Sequence, residues 1–278
     1  AGDMKVSGSN KLYLYDSGGE YLASDGTTLT ITAGASSAMK LDANSRISLS
    51  NNDSGGTGGG DSTSGNTLMG YLAGEDIADG GSNNSLFGHG AGKNITTGVN
   101  NTIIGSEAGD GFDAENNNVI IGQGAGSGAI AGADACIIIG KDAVAGAATQ
   151  DGTIAIGKDA LKALTSGARN VVIGYQAADA LLTGADNTAV GYQALSAANG
   201  SEARNTAIGS YALLSYDNDG SGHNTAVGYG ASSNLTTGDK NTSMGSSALV
   251  ALTTGTQNIA IGTYALDAAD GAESDNIA

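Results

Sequence analysis

The sequence predicts an all-β fold, a parallel β-solenoid of about twelve coils of roughly 17–19 residues each, preceded by a short β-rich segment. Three observations predict it. One motif recurs at a nearly constant period, Gly is abundant while large aromatics are scarce, and Pro is absent.

The motif comes first, because a fixed internal period decides an architecture before any local reading does. From Asn66 onward it reads Asn, a β-branched residue, a small or apolar residue, a larger apolar residue, Gly, two variable residues, then Ala. Asn187-Thr188-Ala189-Val190-Gly191 with Ala194 is one copy, and Asn205-Thr206-Ala207-Ile208-Gly209 with Ala212 is the next. The glycines are Gly70, Gly88, Gly105, Gly122, Gly140, Gly157, Gly174, Gly191, Gly209, Gly228, Gly245 and Gly262, and the longest interval is that from Gly209 to Gly228. Each is followed three residues later by Ala, from Ala73 to Ala265. Ten are preceded four residues earlier by Asn: Asn66, Asn84, Asn101, Asn118, Asn170, Asn187, Asn205, Asn224, Asn241 and Asn258. Cys136 and Thr153 fill the other two places.

Each part of the unit has a physical reading. β-branched residues favour extended backbone, so the segment before the Gly is a short strand. The large apolar residue before the Gly, from Met69 to Ile261, is expected to point inward. The Gly allows a sharp corner, and the Ala is expected where the tube is narrowest. Many units close on a Thr/Ser-Gly turn, as at Thr97-Gly98, Ser166-Gly167, Thr237-Gly238 and Thr254-Gly255. In the second half, runs such as Ala160-Leu161-Lys162-Ala163-Leu164 repeat at three to four residues. They are read as a second short strand with a bulge, a helical turn being the alternative.

One unit cannot bury its own apolar groups, so the units must stack. At about 4.8 Å per coil, twelve coils make a rod roughly 55–60 Å long. Stacking aligns the asparagines into a structural ladder, each amide bonding to the next coil. The missing Pro fits, since every coil needs its N–H groups for its neighbours.

Composition agrees. The chain of 278 residues has 47 Gly, no Trp and two Phe, so any core is narrow and suits a thin body. The net charge of −17 disfavours nucleic acid and anionic lipid as partners, though it also serves plain solubility. No long apolar run exists to insert into a membrane. Cys136, the only cysteine, cannot form an internal disulfide and is expected to be a buried, inert thiol. Ala1 carries no initiator Met or leader, and the motif restarts at Asn276-Ile277-Ala278, so a longer protein is expected on both sides.

Three segments follow. Residues 1–50 lack the motif but contain alternating stretches, such as Lys11-Leu12-Tyr13-Leu14-Tyr15 and Leu29-Thr30-Ile31-Thr32, read as a β-rich stalk or neck. Residues 51–65 are almost all Gly, Ser, Thr, Asn and Asp, a linker. Residues 66–278 are the solenoid.

The unit Asn-Thr-Ala-Ile-Gly-x-x-Ala, as at Asn205 to Ala212, resembles the head repeat of trimeric autotransporter adhesins, the YadA-like heads. That resemblance implies a left-handed parallel β-roll in a tight homotrimer; a thin core also gains by burying a face against copies of itself. The units here are longer than that family's. Strings such as Asn187-Thr188-Ala189-Val190-Gly191-Tyr192-Gln193-Ala194-Leu195, with the opening Lys11 to Tyr21, are most similar to bacteriophage tail fibres. The resemblance implies a virion fibre that attaches to a host surface, with a bacterial adhesin head as the alternative. Implied partners are the chain itself as a homotrimer, a host cell-surface glycan or protein receptor, and other virion tail proteins.

Among individual residues, Tyr71, Tyr175, Tyr192 and Tyr229 follow the motif Gly directly, and Tyr211 and Tyr264 sit one residue later. Stacking brings several onto one ridge, which either contacts a receptor, since Tyr offers rigid amphipathic area, or covers the flank or the seam of the trimer. No cofactor is expected. Asp217-Asn218-Asp219-Gly220 and Gly55 to Asp61 are faint echoes of calcium loops, with a solvated turn as the expectation and calcium as the alternative. His89 and His223 have no Cys or His partner at ligand spacing and no nucleophile motif, and Gly88 to Lys93 lacks the Ser/Thr of a phosphate-binding loop. No catalytic residues and no enzyme activity are expected. The enzymatic rival is a fibre-borne polysaccharide depolymerase using acids such as Asp110, Asp113 and Glu115.

Overall fold

The computed structural model describes residues 65–278 apart from 79, 129–131, 147–150, 221 and 269–270. The stalk expected over 1–50 and the linker over 51–65, Gly65 excepted, lie outside the described residues. The remainder is a parallel β-solenoid. Twelve three-residue strands, from β1 (Thr67–Met69) through β7 (Val171–Ile173) and β8 (Thr188–Val190) to β12 (Ile259–Ile261), form one sheet in sequence order. The register is strict: Val171 faces Thr188, Val172 faces Ala189 and Ile173 faces Val190. Among the described residues, one strand per coil and one sheet per rod make up the regular structure. No helix long and apolar enough to cross a membrane occurs among them.

Counting each coil from its ladder residue as position 1, strand residues occupy positions 2–4 and the corner Gly position 5. Alternation along an extended strand puts positions 2 and 4 on one face and position 3 on the other. The buried face belongs to position 3: Leu86, Ile103, Ile120, Val172, Ala189 and Ala207 are fully buried. This corrects the expectation that the large residue before the Gly points inward. Those residues face outward, with Met69 48%, Met244 43% and Ile261 62% exposed. Position 3 already fills the narrow interior together with the position-8 Ala and the residues beyond it.

The second half of the coil also differs from the sequence reading. Among the described residues it holds no second strand. Positive φ at position 7 (Gln193, 51°) and position 9 (Leu195, 58°) breaks the extended path. The result is two tight turns, Ala91 N–H donating to Gly88 O at 3.3 Å and Ile95 N–H to Gly92 O at 3.2 Å. Position 12 then turns inward as Ile95, Phe112, Leu164, Leu181, Tyr216, Leu235 or Leu252, all buried. The three-to-four-residue spacing of the apolar residues is the signature of these turns.

Positions 3 and 9 share one interior space. Where position 3 is Leu86, Ile103 or Ile120, position 9 is Gly92, Gly109 or Gly126. Where position 3 is Ala155, Ala189 or Ala207, position 9 is Leu161, Leu195 or Leu213. A Cβ on Gly109 would stand 2.7 Å from Ile103 Cδ1, so the glycine makes room for the isoleucine. Its φ of 60° is close to the values that Leu195 and Leu213 adopt, 58° and 50°. Gly109→Leu alone is therefore expected to overpack the coil, costing about 1–3 kcal/mol. Ile103→Ala alone hollows it, costing about 2–5 kcal/mol. The double variant is expected to recover most of both losses, and urea melts of the four proteins as a double-mutant cycle check it.

Candidate functional site

Two surface features run along the solenoid. The first is the outward face of the sheet, built from positions 2 and 4. Position 2 is Thr, Ser, Val or Ile in every coil and position 4 is Met, Phe, Ile or Val, so neither row contains a charged residue. In a chain of net charge −17 such a continuous neutral face is conspicuous. Sequence reasoning missed it because positions 3 and 4 are both apolar. The signal that could have found it is parity: once Ala recurs at position 3 and at position 8, the bulkier row must lie on the other side.

The second feature is a tyrosine ridge at positions 6 and 7, just beyond the Gly corner. Tyr175 and Tyr192 stack with ring centroids 5.7 Å apart and planes at 10°. Tyr211 meets Tyr192 edge-on at 5.2 Å and Tyr229 edge-on at 5.8 Å. Lys158 Nζ lies 5.0 Å from the Tyr175 ring centre and closes the row at one end. Asp159, buried beside it, is hydrogen-bonded to Lys158 and, at 3.1 Å, to Lys162; these partners, Lys158 first, hold its carboxyl below its ordinary pKa. Gln193 Nε2 donates to Gln176 Oε1 at 3.1 Å, an amide rung next to the stacked rings. Burial and the neighbouring Tyr192 push the Tyr211 hydroxyl up. Of the six tyrosines singled out in the sequence, the structure thus brings four together. Tyr71 sits apart against His89, centroids 5.6 Å apart, and Tyr264 is separated from Tyr229 by the Ser246-Ser247 coil.

Inside the rod, the asparagines form a column. Each side-chain Oδ1 accepts the backbone N–H of the ladder residue one coil on, as Asn84 N to Asn66 Oδ1 at 2.8 Å, Asn118 N to Asn101 Oδ1 at 3.0 Å, Cys136 N to Asn118 Oδ1 at 2.8 Å and Asn205 N to Asn187 Oδ1 at 3.0 Å. The amide Nδ2 donates across its own coil, as Asn84 to Gly98 O at 2.8 Å and Asn224 to Gly238 O at 2.9 Å. Asn170, Asn187, Asn241 and Asn258 continue it. The column is interrupted where Cys136 and Thr153 replace Asn. Cys136 is buried, its thiol pushed up by burial, and the Thr153 hydroxyl is buried with no hydrogen-bond partner among the described residues.

The acids of the depolymerase alternative differ in character. The Glu115 carboxylate is buried and accepts N–H bonds from Asp113 at 2.6 Å and Gly132 at 2.8 Å. Asp113 accepts from the Thr96 hydroxyl. Burial pushes the Asp110 carboxyl up, with Glu107 adding to it and Lys93 opposing it. Among the described residues no three acidic, His or Cys side chains are grouped so as to hold a metal ion. Comparison of the chain with protein-family models, with curated proteins and with solved structures finds no match.

Proposed function

We propose that the chain is a structural subunit of a homotrimeric virion fibre, a rigid rod that holds attachment surfaces away from the particle and against a host. The observation that carries this reading is the uncharged outward face in twelve consecutive coils. An apolar sheet face of that length gains by being covered, and a copy of the same rod offers a partner of equal length, register and chemistry. Three rods around one axis cover all three faces, while the acidic remainder keeps finished fibres from bundling. The likeness of the repeat to phage tail fibres and adhesin heads supports the same arrangement.

The tyrosine ridge lies at the corner adjoining that face and supplies the receptor contact, to a host glycan or surface protein. Stacked rings offer preorganised area at little entropic cost, and three ridges per fibre raise avidity without strong single-site affinity.

Light scattering of the full chain is the test. The chain mass is 27.0 kDa, and a particle of three chains is expected. Ile173→Asp with Ile208→Asp is expected to return it to one chain, because two charges per subunit would be buried at the axis. Tyr175→Ala, Tyr192→Ala and Tyr229→Ala together are expected to leave the mass unchanged and to abolish adsorption to host cells. A single-chain mass at every concentration would overturn the reading.

A further inference from the structure

Glu115 and Glu202 play the same part in their coils, each lending its backbone carbonyl to a ladder amide: Asn101 Nδ2 to Glu115 O at 2.8 Å and Asn187 Nδ2 to Glu202 O at 2.7 Å. Both side chains fold back so that Oε2 accepts the N–H two residues earlier, from Asp113 at 2.6 Å and from Gly200 at 3.0 Å. They part company at the other oxygen. Glu115 Oε1 accepts the Gly132 N–H of the next coil at 2.8 Å. Glu202 Oε1 is fully buried and has no hydrogen-bond partner among the described residues. An orphaned carboxylate oxygen in that position is unfavourable.

The next coil explains what stands there instead. It is the longest coil of the rod, and its extra length is the acidic loop Asp217-Asn218-Asp219-Gly220. Asp219 Oδ1 leans over Gly200 and accepts the Ser201 N–H at 3.3 Å. The point where a Gly200 Cβ would sit is 1.8 Å from Asp219 Oδ1 and 3.5 Å from Glu202 Oε1, so the gap between the two oxygens is at most the sum of those distances. Asp217 borders the same loop, accepting from Asn199 Nδ2 at 3.1 Å. Burial first, then Asp217 and Asp219, push the Glu202 carboxyl up.

We propose that Glu202 and Asp219 form a binding site for one hard divalent cation, calcium, clamped between two successive coils. Calcium takes oxygen ligands at about 2.3–2.6 Å, so one ion bridges two oxygens up to about 5 Å apart. Among the described residues no third carboxylate is grouped closely enough to join them, and water completes the shell. The ion supplies to Glu202 Oε1 what the Gly132 N–H supplies to Glu115, and it ties the long coil to its neighbour.

The full chain, stripped with a chelator and returned to CaCl2 at neutral pH, is expected to melt about 3–5 °C higher at saturating calcium, with one ion per chain by calorimetric titration. Glu202→Gln and the exposed-site variant Asp219→Asn are each expected to lose both the shift and the stoichiometric heat, whereas Glu115→Gln keeps them. Asp219→Asn leaves the coil interior intact and so reports even if Glu202→Gln folds poorly. Equal melting temperatures with calcium and with chelator would overturn the site. So would a shift reproduced by NaCl at the same ionic strength, or one that survives in Asp219→Asn.

Discussion

Gly174→Ala is expected to open the solenoid at its middle. Gly174 has a φ of 146°, a backbone conformation an L side chain rarely adopts. Its Cβ would stand 2.2 Å from the carbonyl oxygen of Gly191, the corner of the next coil. That oxygen is backbone and cannot swing aside, so the two coils must part or the corner must change shape. Strain alone costs about 1–3 kcal/mol, and the broken stacking adds to it, for a total of about 3–5 kcal/mol. Gly262 offers a built-in comparison. It has a φ of 133°, but the nearest atom to its added Cβ is Ala265 Cβ at 4.0 Å. Gly262→Ala should therefore show the conformational cost without the collision. Thermal melts of the two variants, compared with the parent chain, separate the terms; equal losses would show that inter-coil contact at the corner matters little.

Asn241→Leu is the second large effect. The Asn241 Oδ1 accepts the Asn258 N–H at 3.0 Å and its Nδ2 donates to Gly255 O at 2.8 Å. Leucine has the same branching and number of side-chain heavy atoms but leaves that N–H and that carbonyl unpaired where Asn241 and Asn258 are only 1% exposed. Each buried orphan costs about 1–3 kcal/mol, so a loss of about 3–5 kcal/mol is expected. Amide exchange at Asn258 should accelerate with it. The converse applies at the interruption: Thr153→Asn replaces an unsatisfied hydroxyl with the side chain used in ten other coils, and a modest gain of about 1 kcal/mol is expected. A destabilised Thr153→Asn would show that the coils on either side have adapted around the break.

The coil count, the strand positions and the Asn column are legible in the sequence because each rests on a residue whose chemistry admits one use when it recurs in coil after coil. The corner Gly and the ladder Asn are such residues. The orientation of Ile104 or Ile173 is not legible, because a three-residue strand gives a single alternation and both of its faces here are apolar. The second half reads as a strand because Leu at φ of 50–58° is unusual enough that nothing in Leu161 or Leu195 announces a left-handed turn. The tyrosine ridge is legible as a set of positions, but the break at Ser246-Ser247 and the cap by Lys158 need the register. Glu202 is invisible for a different reason: its missing partner is a fact about the neighbouring coil.

The shared interior of positions 3 and 9 has a consequence for descent. A coil of the Ile103–Gly109 kind and one of the Ala189–Leu195 kind fill the interior from opposite positions, so exchanging the bulky residue at one position alone swells or hollows such a coil. Lineages can cross by half measures, and Val172 with Ala178 is such a halfway house, fixed in the chain with both residues wholly enclosed.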